Sequence, residues 1–128
     1  MSQNIKTIPT SEYDAVVKTV QTYVDGLAAG DNNIMRHAFH KDATMYGFIA
    51  DKLLEGPIAN LYGYVDSVGK APNLKARLDV LGITPTTAVV KVDMEKDASG
   101  NNYTDFHTLI KLDNKWTIIG KTFHTYAS

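Results

Sequence analysis

The spacing of apolar residues changes near Asn73, and this change most constrains the fold. Before it, apolar side chains such as Val16, Val20 and Leu27 recur at the helical interval. After it they alternate with polar residues in four segments that turn residues separate, at 74–80, 90–94, 106–112 and 119–123. Helices followed by hairpin-linked strands predict an α+β fold with an antiparallel sheet.

Capping residues predict where the first two helices begin and end. Ser11, followed three residues later by Asp14, is typical of a helix N-terminus. Gly30 can take the left-handed conformation that ends this helix, and Asp31 can cap a second helix that runs to Phe39. The sequence therefore predicts a helical hairpin at residues 11–39.

The middle of the chain is predicted to hold one strand and one helix. After a corner at residues 42–43, the segment 44–49 has strand character, and the segment 51–57 interrupts it. Pro57 is predicted to begin a third helix that ends at Gly69. Its apolar stripe contains Leu61, Tyr64, Val65 and Val68.

Length and charge limit the class of protein. The 128 residues form one domain, predicted as a flexible arm at 1–10 and a folded domain at 11–128. Thirteen basic and 14 acidic residues leave a net charge of −1, and there is no cysteine or long apolar run. We therefore expect a cytoplasmic protein with no nucleic-acid or membrane partner.

A two-residue turn at Asp113 and Asn114 would fix the register of the last hairpin. It places Thr108 opposite Ile119 and Phe106 opposite Lys121. The face that carries these four residues has the larger share of apolar side chains and is predicted to point inward, and the opposite face is predicted to point outward. A register shift of one residue would exchange the two faces.

The predicted outward face carries aromatic and ionisable side chains, including Trp116, Asp105 and His107. A sheet face of this kind is usually covered, and a second copy of the chain is the simplest cover. We therefore expect a homodimer through the outer sheet face including Trp116. An Asp105–His107 base is the alternative if the faces are exchanged.

Four phrases, "VQTYVDGLAAGD", "FHKDATMYG", "LEGPIANLYGYV" and "DNKWTIIGKTFH", resemble the nuclear transport factor 2-like (NTF2-like) superfamily in their order. They are most similar to its polyketide-cyclase-like and putative lumazine-binding members. The resemblance implies a cone-shaped fold in which N-terminal helices pack on a strongly curved antiparallel sheet that encloses a cavity. It also implies a small apolar or heteroaromatic ligand.

The ketosteroid isomerases of this superfamily offer a mechanism to compare. The resemblance places Tyr23 at their oxyanion tyrosine, Gly47 at their aspartate base and Thr108 at their protonated acid. Two of the three catalytic positions therefore lack the required side chain. The resemblance implies the shape of the isomerases without their mechanism.

Lys121 is the strongest candidate for a functional residue. A lysine among apolar wall residues is partly desolvated, so its pKa falls or it requires an anionic partner. It could then bind an anionic group or form a Schiff base, or its ammonium could reach solvent at the cavity mouth. The predicted catalytic residues are Lys121, Tyr23 and His40, and the predicted ligand-binding residues are Tyr64, Val90, Val92, Thr108, Ile119 and Phe123.

Two classes of function follow from these predictions. The first is a small-molecule-binding protein that supports acid–base chemistry of the isomerase, cyclase or dehydratase type, without a cofactor or metal. The spacing of His37 and His40 suits metal ligands, but the two histidines are better explained as helix-end residues. The alternative class is a non-catalytic dimeric binding or assembly module.

Overall fold

Three α-helices and six strands make up the computed structural model, which describes residues 6–126. The helices are α1 (Thr10–Ala29), α2 (Asn32–Met35) and α3 (Ala59–Val68), and a 3₁₀ turn at Arg36–Ala38 follows α2. The strands are β1 (Phe39–Ile49), β2 (Lys52–Pro57), β3 (Lys75–Ile83), β4 (Thr87–Glu95), β5 (Tyr103–Leu112) and β6 (Lys115–Thr125). Residues 1–5 of the predicted arm at 1–10 lie outside the described residues.

All six strands form a single sheet in the order β2-β1-β6-β5-β4-β3. Every neighbouring pair is antiparallel except β1 and β6, which are parallel. Helix α1 packs on one face of the sheet, here called the inner face, and buries Val16, Val20 and Tyr23 there. This architecture confirms the α+β prediction. No helix within residues 6–126 is both long and apolar enough to cross a membrane.

The local signals at the end of α1 are confirmed, but the one at its start is wrong. Helix α1 begins at Thr10 after Pro9, which makes no side-chain cap, so Ser11 lies inside the first turn. Gly30 adopts the predicted left-handed conformation with φ 63°. Asp31 caps α2 as predicted, because its carboxylate accepts a hydrogen bond from the backbone N–H of Asn33.

The second helix is shorter than predicted, and one strand was missed. Helix α2 ends at Met35, and β1 begins at Phe39 and continues through the predicted corner at residues 42–43. Strand β2 occupies the segment that the sequence predicts to be a break. That prediction is wrong because it rests on Gly56 and Pro57, which are rare in strands but are tolerated at the end of this one. Helix α3 accordingly starts two residues after Pro57.

An irregularity in β6 changes which face its side chains occupy. Near the turn the pairing is as predicted, with Ile110 opposite Thr117, and Leu109 then pairs with Ile118. Thr108, however, pairs with Gly120, so Ile119 is an extra residue; we call this the β6 bulge. The predicted pairs of Thr108 with Ile119 and of Phe106 with Lys121 are therefore wrong.

The β6 bulge brings residues of both predicted faces together. Before the bulge, Trp116 and Ile118 point to the inner face. After the bulge, Lys121 is buried on that face and Thr122 is exposed, the reverse of what strict alternation would give. On β5 the inner face holds Asp105 and His107, which were predicted to point outward. The polar side chains of the two strands thus meet in the core.

Candidate functional site

A buried cluster of polar side chains lies between α1 and the centre of the sheet. It consists of Tyr23, Asp105, His107 and Lys121, and we call it the buried polar cluster. Each of the four residues is at most 4% exposed. The Tyr23 hydroxyl donates a hydrogen bond of 2.6 Å to Asp105 Oδ2. His107 Nε2 lies 3.3 Å from the same oxygen.

Strand pairing fixes the positions of these side chains. His107 on β5 lies opposite Lys121 on β6, and Asp105 lies opposite Phe123. On the other side, β4 places Val90 beside His107 and Val92 beside Asp105. Both valines are fully buried, so they cover the polar cluster with apolar walls.

Charges in this dry environment set one another's protonation. Burial raises the pKa of the Asp105 carboxyl, but the nearby Lys121 ammonium and the hydrogen bonds from His107 and Tyr23 outweigh burial and lower the pKa below the ordinary value. Burial lowers the pKa of His107. Asp105 is therefore an ionised carboxylate beside a neutral imidazole.

The two groups that flank Asp105 respond in opposite ways. Burial, followed by the Asp105 charge, raises the pKa of Tyr23 well above its ordinary value, so its hydroxyl stays protonated. Burial lowers the pKa of Lys121, and the Asp105 charge opposes this only in part. The lysine therefore reaches its neutral amine form at a lower pH than an exposed lysine does.

The Lys121 amine lies on the wall of a cavity and keeps its hydrogens free. Nζ is 4.6 Å from the centre of the Phe123 ring and 5.4 Å from that of Tyr23, within the range of cation–π attraction. In the part of the chain that the structure describes, no carboxylate oxygen lies within 4.0 Å of Nζ. Nζ is thus available to a molecule in the cavity.

The cavity has a volume of about 50 Å³ and mostly apolar walls. It lies between α1, α3 and the first and last strands of the chain. Its polar residues are Lys121, Tyr64, Tyr103, Asp97, Asn101 and Thr125, and its apolar residues are Leu27, Met45, Ile49, Leu54, Leu61 and Phe123. The Lys121 amine and the Asp97 side chain therefore share a small space whose other walls are mostly apolar.

Three predicted cavity residues, Lys121, Tyr64 and Phe123, line this space, and the others do not. Thr108 lies on the outer face, and Ile119, at the β6 bulge, is 38% exposed. His40 is on β1, where its Nδ1 accepts a hydrogen bond from the backbone N–H of Asp42. Thr108 is kept from the cavity because its face of β5 is the outer one, Ile119 because it is the extra residue of the bulge, and His40 because β1 begins early.

Tyr23 and Trp116 occupy places other than those predicted. The hydroxyl of Tyr23 is already bonded to Asp105 behind the cavity wall, and no part of Tyr23 lines the cavity. Trp116 lies on the inner face under α1 and is 3% exposed, and its Nε1 donates to Glu12 Oε2 at 2.9 Å. Trp116 is therefore not on the outer sheet face.

Packing explains Gly47, the residue that the sequence resemblance matches to the isomerase base. A Cβ at this residue would lie 2.4 Å from the carbonyl oxygen of Phe123 and 2.5 Å from its ring. The parallel contact between β1 and β6 brings the two residues opposite each other. No base can stand at this position without moving the wall that carries Lys121.

Sequence reasoning missed Asp105, His107 and Tyr103 as inner-face residues. Asp105 was placed on the wrong face, and Thr108 was matched to the protonated acid that should accompany Tyr23. The side chain beside Tyr23 is in fact Asp105. Gly120 was the available signal, since an isolated glycine within a strand often marks a bulge.

A helical layer on one face of a six-stranded sheet, with a cavity between them, is the architecture of the NTF2-like class. An NTF2-like protein of unknown function from Shewanella baltica OS155 has the same fold, with a TM-score of 0.89 and 36% identity over 96% of this chain and 100% of that one. A ketosteroid isomerase-like protein from Erwinia carotovora atroseptica SCRI1043 shares the fold at 13% identity, with a TM-score of 0.70 and coverage of 94% and 100%.

The sequence comparison is more specific than the fold. Residues 11–124 match the profile of the family described as putative lumazine-binding, and the chain belongs to this family. The protein is also similar to the aldolase FrzH of Cladobotryum sp, with 40% identity over 121 residues that cover 94% of this chain and 97% of that protein. The resemblance inferred from the sequence is confirmed.

Proposed function

We propose that this protein is a cofactor-independent enzyme that moves a proton at the carbon next to a ketone or aldehyde carbonyl. Lys121 is the base. The observation that carries the proposal is the position of its amine, which is buried, lines the cavity and, among residues 6–126, has no carboxylate within 4.0 Å. The mostly apolar walls match a small, partly apolar carbonyl compound in polarity, and the cavity of about 50 Å³ must widen to admit one.

The desolvation of Lys121 supports a role as a base. A lysine is a useful base only if its pKa approaches the working pH, and burial lowers the pKa of Lys121 in that direction. The Asp105 carboxylate behind it favours the ammonium that forms when the amine takes a proton. The amine can thus alternate between its two protonation states.

The reaction balances with this one group. The neutral Nζ of Lys121 takes the proton, the C–H electron pair forms the carbon–carbon double bond of an enolate, and the carbonyl oxygen takes the negative charge. In an isomerisation the ammonium returns the proton to another carbon. In an aldol addition the enolate carbon bonds to a second carbonyl carbon, and the ammonium protonates the new alkoxide.

The relative named an aldolase supports this class of chemistry, because an aldol reaction begins with loss of a proton next to a carbonyl. That protein is 40% identical over nearly the whole of both chains. The solved structures below 25% identity support the fold alone. Lys121 and this one relative therefore support the reaction type.

Exchange of the α-protons of cyclohexanone in D₂O, followed by proton NMR, tests the proposal. We expect wild-type protein to exceed buffer and Lys121→Met to lose the excess. Lys121→Arg is the matched control, since it keeps the positive charge and the long stem but cannot act as a base near neutral pH; it should also lose the excess. Wild-type exchange rates in either variant would overturn the proposal.

Borohydride trapping separates a base from a nucleophile. A lysine that forms a Schiff base with the ketone would be reduced to a stable secondary amine, which mass spectrometry locates on the peptide containing Lys121. We expect no such adduct with wild-type protein and cyclohexanone. An adduct at Lys121 would replace the proposed base with covalent catalysis.

We also propose that a second copy of the chain covers the outer sheet face. The supporting observation is a set of apolar side chains on that face that are 37% to 47% exposed, namely Tyr46, Phe48, Val89, Phe106 and Ile119. Exposed apolar groups of this kind on one sheet favour an interface. The rival function, a non-catalytic assembly module, would use this face without the cavity.

A further inference from the structure

The tyrosines around the site differ in whether their hydroxyls already form hydrogen bonds within the protein. The Tyr23 hydroxyl is bonded to Asp105. The Tyr64 hydroxyl lies 3.1 Å from Ser99 Oγ and 3.4 Å from Asp97 Oδ2. Within residues 6–126, the Tyr103 hydroxyl makes no hydrogen bond to protein. Tyr103 is thus the cavity tyrosine with a free donor.

Tyr103 is held firmly on the cavity wall. It is the first residue of β5, paired with Thr125 of β6, and it is 8% exposed. Its side chain lines the same cavity as Lys121 and Phe123. Among the described residues, two fully enclosed side-chain atoms lack a hydrogen-bond partner, Asp105 Oδ1 and His107 Nδ1. The Tyr103 hydroxyl is not one of them, so it is not fully enclosed.

The Tyr103 phenol remains a donor at all physiological pH values. Burial, reinforced by the charges of Asp105 and Asp97, raises its pKa far above the ordinary value. A protonated phenol in a dry cavity favours an oxygen acceptor that carries negative charge, since hydrogen bonds to charged groups are the stronger ones. Lys121 adds a positive charge to the same wall.

We infer that Tyr103 is the residue that holds the ligand's oxygen, so that the cavity selects molecules with a carboxylate or enolate oxygen placed between the Tyr103 hydroxyl and the Lys121 amine. The inference rests on the proposed function in naming the enolate as the reacting species. Tyr103 donates to the oxygen while Lys121 takes the proton from the adjacent carbon. This role belongs to neither Tyr23 nor Tyr64, whose hydroxyls are engaged.

Binding of benzoate, measured by calorimetry, tests the inference without any reaction. Benzoate offers carboxylate oxygens and an apolar ring, and it cannot lose an α-proton or form a Schiff base. We expect Tyr103→Phe to weaken binding about tenfold, because a hydrogen bond to a charged oxygen is lost. Tyr62→Phe is the matched control: Tyr62 is a buried tyrosine that does not line the cavity, and binding should be unchanged.

The exchange reaction gives a second readout. An oxygen that gains charge in the transition state is held more strongly there, so Tyr103→Phe should lower the rate at saturating cyclohexanone more than it raises KM. Unchanged benzoate affinity in Tyr103→Phe, or no benzoate binding by wild-type protein, overturns the inference. Loss of benzoate binding in Tyr103→Phe without any wild-type exchange would instead overturn the proposed function and leave Tyr103 as a ligand anchor.

Discussion

The Asp105→Asn substitution should destabilise the protein chiefly by removing the negative charge beside Lys121. Asparagine keeps the shape of the side chain and one carbonyl oxygen, which can still accept from Tyr23. It cannot balance the Lys121 ammonium, which is 4% exposed. The variant therefore separates the charge of Asp105 from its packing.

The magnitude follows from the burial of the pair. Removing one partner of a buried ion pair in direct contact costs about 3–5 kcal/mol. Among the described residues no Asp105 oxygen lies within 4.0 Å of Lys121 Nζ, and asparagine keeps the acceptor for the 2.6 Å bond from Tyr23, so we expect a smaller cost of about 2 kcal/mol. For a domain of this size each kcal/mol lowers Tm by about 3–5 °C, so Tm should fall by about 6–10 °C.

The loss should depend on pH. In the variant the folded protein binds a proton at Lys121 more weakly than the unfolded chain does, so the folded pKa lies below the unfolded value of about 10.4. Stability is then present above the unfolded pKa and is lost as pH falls through the folded value. Urea unfolding should therefore show a larger deficit near pH 7 than near pH 9.5.

A double-mutant cycle with Lys121→Met provides the refutation. If the charges of Asp105 and Lys121 are coupled, the two substitutions together should cost at least 1 kcal/mol less than the sum of the single changes, since coupling energies of about 0.5–3 kcal/mol are typical of residues in one polar network. Additive costs in urea unfolding would show that Asp105 acts on the fold through Tyr23 and His107 alone. The electrostatic reasoning would then be wrong.

Three further predictions test the base, the packing and the outer face. The α-proton exchange rate should rise with pH through the lowered pKa of Lys121, and a rise centred on the ordinary lysine value would contradict its role as the base. Gly47→Ala should cost about 1–3 kcal/mol in urea unfolding, because its Cβ meets Phe123 backbone, whereas Gly63→Ala, in open space on α3, should not destabilise. Phe106→Asp should yield a monomer in sedimentation, whereas Trp116→Phe should leave the dimer intact; a dimer in the first variant would exclude the outer face.

Local chemistry explains the parts of the fold that the sequence predicted correctly. Gly30 and Asp31 act through their own backbone and near neighbours, and both were placed correctly. The pairing of Ile110 with Thr117 follows from the tight turn next to it. In contrast, the start of β1 at Phe39 depends on a parallel partner about 80 residues away in β6, and no local pattern encodes that contact.

The candidate site was only partly predictable because one residue decides it. Lys121 and Phe123 were assigned to the cavity through a regular register that does not exist, and they reach it because the β6 bulge reverses the alternation. Ile119 stays outside as the extra residue, and Thr108 stays outside because the β5 face predicted to line the cavity is the outer one. Strict alternation assigns every second residue of a strand to one face. It therefore cannot place Trp116 and Lys121 of β6 on the same face, as the structure does.

The β6 bulge also accounts for the unusual chemistry of the inner face. A regular β6 would bury Thr122 and His124 after Ile118, and the carboxylate of Asp105 would then face no cation. With Ile119 inserted, Lys121 lies opposite His107, and Phe123 comes to rest against Gly47 of β1. The extra residue therefore places the Lys121 amine on the inner face and, through the same change of alternation, packs Phe123 against Gly47, where a larger side chain would not fit.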